Sequence, residues 1–323
     1  MNETAKPQEH LQSLTATNRS ARSQQRQAIL VLGMHRSGTS AVGGVVSALG
    51  VTAPKTLSVP NYWNQRGYFE SPRIFVAHDE LLASAGSRWA DWRQFNLQWY
   101  RSKAAEHHRQ KLKALLIEEF GDEPLIFIKD PRMCRFVPFV SSVLADLNFT
   151  PVAILPVRNP LEVAYSLKRR EQFPLSKSIL LWLRHVLDAE FQSRHMRRCV
   201  LRYEELLIDW RHQIDRVAEM IGVVWPDRSG GPDKIDQFLT HDLHHERSSF
   251  DEIKKHPAIT PLVRETYDLL IKIADDGESK ELLQRLDVVR STFDEGCQLF
   301  GPAVAKESPA ANDEMMSALY ADS

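Results

Sequence analysis

A chain of 323 residues has room for one large α/β domain with a deep core, or two small ones, and a single domain is expected. Hydrophobic residues make up 43% and charged residues 26%, as in an ordinary globular protein. A net charge of −1 excludes a broad nucleic-acid or anionic-membrane footprint and leaves room only for a focused basic pocket.

Cys134, Cys199 and Cys297 lie far apart with no CxxC spacing, so no disulfide framework or thiolate metal site is indicated and a reducing compartment fits. The first 27 residues carry no apolar core of signal-peptide length, and no later stretch reaches the ~18 to 20 apolar residues of a membrane helix. A soluble, cytoplasmic protein without membrane insertion or nucleic-acid partner is expected.

Residues 1–27 are rich in Gln, Ser, Thr, Asn and Arg and read as a disordered tail. At Ala28 the pattern changes to AILVLG, a short apolar run closed by glycine, as in a buried parallel strand. TSAVGGVVSALG then places small and apolar residues at helical spacing and stops at Gly50. In ESPRIFVAHDELLASAG, Ser71 can cap a helix, Pro72 fits its first turn and Gly86 closes it.

A tryptophan-rich stretch runs from Trp89 to Tyr100; residues 102–120 read as a surface helix. LIFIKD (125–130), AILPVR (153–158) and CVLRYE (199–204) read as three further strands. The segment from about Lys177 to His195 puts Ile179, Leu183, Val186, Leu187 and Phe191 on one face with charges opposite, a packing helix. The alternation gives an α/β fold with a doubly wound, mainly parallel central sheet flanked by helices, whose ligands bind at the strands' carboxyl ends. The domain is expected to span 28–300, followed by a flexible tail over 301–323.

The chemistry begins at GMHRSGTSAVGG (33–44). Gly33 follows the strand and the helix starts near Gly38, so loop amides and the helix's positive end converge on one point suited to a multiply charged anion. A nucleotide triphosphatase places lysine after the second glycine; here Thr39 stands there, and the cation, Arg36, lies inside the loop. An arginine fork holds two oxygens of a phosphate or sulfate and stays charged.

The string GMHRSGTS resembles the loop of P-loop sulfotransferases that use 3′-phosphoadenosine 5′-phosphosulfate (PAPS), especially a bacterial group. The resemblance implies that Arg36, Ser37, Gly38, Thr39 and Ser40 bind the 5′-phosphosulfate. In VRNPLEVAYSLKRRE, Arg158 ends a strand, Asn159 and Glu162 can form a capping box, and Pro160 fits the first helical position. Arginine at a strand end with serine eight residues on matches the family's second motif, which implies that Arg158 and Ser166 grip the 3′-phosphate. LRYEELLIDW (201–210) resembles a structural strand-to-helix segment of the family, and FLTHDLHHERSS (238–249) nominates Arg247 as a further nucleotide ligand. The resemblance spans about 28–250.

Sulfuryl transfer needs a base for the acceptor's proton and positive charge on the leaving phosphate. Lys129 can add charge beside Arg36, or simply snorkel from its strand end. Glu70 is the first candidate base, Asp130 in KDPR the second, and His35 and His78 stand behind them. No metal is expected, although His241, His244 and His245 have a spacing that can ligate zinc on a helix. Trp63, Trp89, Trp92 and Trp99 lie where an acceptor cap can form, and tryptophans this dense also build cores.

The reading is a PAPS-dependent sulfotransferase acting on a hydroxyl, or an amine, of a carbohydrate or small-metabolite acceptor. The alternatives are a P-loop kinase using ATP and magnesium, and a noncatalytic nucleotide-binding partner of a glycan-modifying enzyme.

Overall fold

Four short apolar runs separated by helical segments can bury their strands only if helices cover both faces of one sheet, and this is the arrangement adopted. The computed structural model describes residues 26–62, 64–227, 231–239 and 255–305. The strands are β1 (Arg26–Val31), β2 (Leu125–Lys129), β3 (Phe149–Val157) and β4 (Arg198–Arg202). All pair in parallel, in the order β2-β1-β3-β4.

β1 begins at Arg26, two residues into the segment read as a tail, because Arg26 and Gln27 pair with Phe149 and Thr150 of β3. The Arg26 side chain reaches the Glu123 carbonyl at 3.1 Å. Polar residues can extend a strand whose central residues are buried, so composition placed this boundary too late.

Between β1 and β2 lie α1 (Thr39–Ala48), α2 (Pro72–Ser84) and α3 (Lys103–Phe120). α2 is capped as expected, with the Ser71 hydroxyl accepting from the Ile74 amide at 3.3 Å. α4 (Val137–Asp146) precedes β3; α5 (Pro160–Glu171) and α6 (Leu175–Gln192) join β3 to β4. Beyond β4 come α7 (Tyr203–Ile208), α8 (Trp210–Ile221), α9 (Pro232–Phe238), α10 (Pro261–Asp276) and α11 (Lys280–Ala305). The last reaches past residue 300, where the tail was expected to begin.

The two faces carry separate cores. One gathers Leu30, Ile128, Leu155, Val163, Trp182 and residues of α2 to α6, α10 and α11. The other gathers Ile29, Val31, Val45, Ile154, Leu201 and Val217 beneath α1, α8 and α9. Among the described residues no helix is long and apolar enough to cross a membrane.

Two expectations about packing need correction. α6 is not a helix with a solvated charged face: Arg184, His185, Asp188 and Glu190 are all buried, whereas Phe191 is 40% exposed. α11 covers the polar side, and Arg184 binds Asp188 at 3.1 Å and Asp294 of α11 at 2.7 Å, so the buried charges are paired. Trp89 and Trp99 are core residues and Trp92 packs against the same core, so they form no acceptor cap. Trp63 lies outside the described residues.

Candidate active site

The order β2-β1-β3-β4 reverses direction at β1: the chain leaves it for β2 on one side and returns to β3 on the other. A crevice opens at the carboxyl ends of the strands at such a switch point, between the segments that follow β1 and β3. The loop 33–38 follows β1, and Arg158 follows β3. Between them lies a cavity of about 1060 Å³.

The loop is built around two left-handed residues, Arg36 at φ 72° and Gly38 at φ 89°. Gly38 needs its missing side chain twice, because a Cβ there would also collide with the ring of Tyr203. The first bond of α1 runs from the Val42 amide to the Gly38 carbonyl at 3.1 Å. The amides of Thr39, Ser40 and Ala41 therefore lack partners within the helix and stand at its positive end, lining the cavity.

Arg36 reaches across the crevice. Its Nε donates to the Ser166 hydroxyl at 2.7 Å, joining the loop to α5. Arg158 approaches from β3, with Nη1 donating to the Arg36 carbonyl at 3.1 Å and its guanidinium 4.9 Å above the Tyr203 ring. The two anion motifs, more than a hundred residues apart in sequence, are thus one connected structure. Burial, then the Arg170 and Arg158 charges, pull the Arg36 pKa down to about 10, so it remains a cation at neutral pH.

The Glu162 carboxylate accepts from Arg158 Nε at 2.8 Å, and Asn159 caps α5 through the Leu161 amide at 2.9 Å. A carboxylate one turn along from a buried guanidinium gains a charge-assisted bond.

The loop residues separate into different roles. Arg36, Gly38, Thr39 and Ser40 line the cavity. Ser40 accepts from Asn64 Nδ2 at 3.1 Å, which fastens the lip of the site. Ser37 does not line the cavity: its hydroxyl is fully buried and its amide is spent on the Met34 carbonyl at 3.1 Å. A sequence string cannot reveal that one amide of a tight loop turns inward.

At the carboxyl end of β2, consecutive residues part company. Lys129 is buried and lines the cavity, where its ammonium donates to Glu70. Burial lowers its pKa and the Glu70 carboxylate opposes the fall. Glu70 sits just before the cap of α2, and its own carbonyl accepts from the Ser58 amide at 2.8 Å, which fixes its backbone. Among the described residues lining the cavity, Glu70 is the one carboxylate.

Asp130 lies outside the cavity. It is buried against His78 Nδ1 at 2.7 Å and Arg132 Nη1 at 3.1 Å, and it caps the following turn through the Arg132 amide at 3.0 Å. Burial works to raise its pKa, but the Arg132 charge and the His78 hydrogen bond outweigh burial and hold it well below the usual carboxylate range. Neither Asp130 nor His78 is placed to take a proton from a ligand in the cavity. His35 lines the cavity with its ring 4.7 Å from that of Trp89, and burial followed by the Arg170 charge keeps it neutral.

Sequence reasoning passed over Tyr203, Tyr68 and the cationic run Lys168, Arg169 and Arg170, all of which line the cavity. The only signal was the run of charges at the end of α5, where basic residues ordinarily just complement the helix dipole. Arg247, His241, His244 and His245 lie outside the described residues.

No protein-family model matches the chain, and no curated protein sequence matches it. Solved structures similar to it include two sulfotransferase domains. One is the sulfotransferase domain from the Synechococcus PCC 7002 olefin synthase, 16% identical, covering 75% of this chain and 87% of that one with a TM-score of 0.39. The other is the sulfotransferase domain from the curacin biosynthetic pathway, 15% identical, covering 82% of this chain and 98% of that one with a TM-score of 0.39. At these scores neither likeness carries an argument, and the functional reading rests on the site's own residues.

Proposed function

We propose that the chain is a cytoplasmic sulfotransferase that moves a sulfuryl group from PAPS to a hydroxyl, or an amine, of a carbohydrate or small-metabolite acceptor. The observation that carries this is the bond from Arg36 inside the loop to Ser166, with Arg158 closing onto the loop carbonyl. A donor with 5′ and 3′ anionic ends needs cations from both walls of one crevice, and Arg36 after β1 and Arg158 after β3, both lining the cavity, supply them.

In this reading the amides of Thr39, Ser40 and Ala41 and the Arg36 guanidinium hold the 5′-phosphosulfate, while Arg158 and the Ser166 hydroxyl hold the 3′-phosphate. Glu70 accepts the proton of the acceptor hydroxyl as its oxygen bonds to sulfur. The bond from sulfur to the bridging phosphate oxygen breaks, and Lys129 and Arg36 stabilise the charge that develops on the leaving phosphate. The pairing of Glu70 with Lys129 sets base and cation side by side at the reacting centre.

The kinase alternative is disfavoured by the same geometry. Magnesium needs carboxylate or hydroxyl oxygens near the phosphates. The acid at the end of β2, Asp130, is turned away onto Arg132, and the loop has Thr39 where a kinase places the lysine that meets the β and γ phosphates. Calorimetry decides between donors: adenosine 3′,5′-bisphosphate should bind tightly without metal, and tight binding of ATP with magnesium alone would end the sulfotransferase reading. Loss of transfer in Glu70→Gln with retained bisphosphate binding separates an enzyme from a noncatalytic nucleotide-binding partner.

A further inference from the structure

The motif GMHRSGTSAVGG holds more glycine than an anion loop needs. Gly38 serves the loop, but Gly43 and Gly44 lie inside α1, where glycine is a poor helix former, and neither has a left-handed φ. Their missing side chains make room for two rings. A Cβ at Gly43 would come within 3.0 Å of Phe69 Cβ, and one at Gly44 within 2.3 Å of the Phe238 ring. Phe69 and Phe238 meet edge to face with centroids 5.7 Å apart, so the pair lies on a glycine bed formed by α1.

Phe69 is strained in this place. Its φ of 55° is in the left-handed region, which a bulky side chain rarely adopts, and a residue persists there only when its surroundings over-determine it. Here they do. Before it, Asn64 Nδ2 donates to Ser40 at 3.1 Å, and Arg66 donates to the carbonyls of Phe238 and, at 3.2 Å, Gln237. After it, the Glu70 carbonyl accepts from the Ser58 amide at 2.8 Å and the Ser58 hydroxyl at 3.1 Å, and Ser71 caps α2. The strained residue immediately precedes Glu70, the one carboxylate among the described residues lining the cavity, while Phe69 itself does not line it.

The same bed ties the base to the donor. The amides of Thr39, Ser40 and Ala41 open α1, and Gly43 lies about one turn, ~5–6 Å, further along the same helix. A ring seated on Gly43 fixes the chain at Glu70 relative to the helix end that meets the phosphosulfate in the donor reading. A larger residue at position 43 would push Phe69 outward, and Glu70 with it.

We propose that Phe69 is a positioning residue for the proton transfer: seated on Gly43 and against Phe238, it uses a left-handed backbone to hold the Glu70 carboxylate on the cavity wall beside Lys129. The inference rests on the reading of Glu70 as the base and deepens it. Phe69 acts only through Glu70, and the path of the proton from acceptor hydroxyl to carboxylate is unchanged.

The test uses the full chain with radiolabelled PAPS and an extract of the source cells as the acceptor pool, read as a single-turnover rate, with bisphosphate affinity from calorimetry. Phe69→Ala removes the ring and should cut transfer about tenfold or more, since a displacement of about 1 Å at a reacting group is enough for such a loss. Gly43→Ala favours the helix itself but presses on Phe69, and should also lower transfer while the melting temperature stays near that of the wild type. In both, bisphosphate affinity should stay within about threefold. Once Glu70→Gln has removed the base there is nothing left to position, so adding Phe69→Ala to it should cost no more than about threefold. An equal loss in both backgrounds makes Phe69 a merely structural residue and overturns the inference. So does wild-type transfer in either single variant, or a loss of bisphosphate affinity as large as the loss of transfer. A crystal structure of Gly43→Ala reads the geometry without activity, and carries the test if Phe69→Ala does not fold: Glu70 should move with Phe69 relative to α1, and a carboxylate still in its wild-type place overturns the inference. Failure of the bisphosphate to bind the wild type overturns the donor reading instead, and full transfer in Glu70→Gln overturns the base assignment.

Discussion

Two charged clusters flank the carboxyl end of β2, one residue apart in sequence and different in kind. Glu70 and Lys129 form a pair on the cavity wall, open to a ligand. His78, Asp130, Arg132 and Asp79 form a cluster in which each carboxylate is already engaged: Arg132 Nε reaches Asp79 at 2.7 Å and His78 reaches Asp130 at 2.7 Å. The difference teaches that a buried charge is a candidate for chemistry only where a ligand can replace its partner. The first cluster can exchange an internal ion pair for a reacting group, and the second holds the turn after β2 in place.

The sharpest way to break this comparison is Glu70→Gln. It should lower the transfer rate by about 10² to 10⁴-fold with bisphosphate affinity retained, measured by single-turnover transfer and calorimetry. Asp130→Asn should do the opposite. It leaves Arg132 short of a buried partner and should cost about 3–5 kcal/mol of stability in denaturant unfolding, while the folded fraction still binds bisphosphate. If Asp130→Asn instead lost transfer at full stability, the two clusters would have to exchange roles.

Donor binding distinguishes further. Arg36→Lys keeps the charge but loses the fork that joins loop and α5, and should weaken bisphosphate binding by about 1.5–3 kcal/mol. Ser166→Ala removes a single neutral partner of that fork and should cost about 1 kcal/mol in the same titration. A Ser166→Ala loss equal to that of Arg36→Lys would mean the hydroxyl, and not the guanidinium, organises the site.

The smallest effect is in pH dependence. The Asp130 pKa is lower in the folded chain than in the unfolded one, so its contribution to stability is present above the ordinary carboxylate pKa of about 4 and is lost as pH falls through the acid range. Acid unfolding followed by circular dichroism should therefore be less steep in Asp130→Asn than in the wild type.

Much of this was legible in the chain because the signals are local. An apolar run ending in glycine gives β1 and its loop, and Ser71 followed by Pro72 gives the start of α2, since strand burial and helix capping depend on neighbours a few residues away. The loop's internal arginine was legible for the same reason, and it lines the cavity at the strands' carboxyl ends. Local signals failed wherever a second layer arrived from far away. α11 buried the charges of α6, and the core absorbed the tryptophans read as a possible cap.

The sequence by itself determined an α/β fold of four parallel strands, the loop after β1 with its internal arginine, and the cation after β3. Only the tertiary structure decided that Arg36 and Ser166 touch, that Lys129 faces Glu70 while Asp130 turns away, and that Arg170 lines the same cavity. The physical reason is reach: capping and strand patterning are settled within a turn or two of chain, whereas the partner of a buried charge is set by which distant elements the sheet brings together.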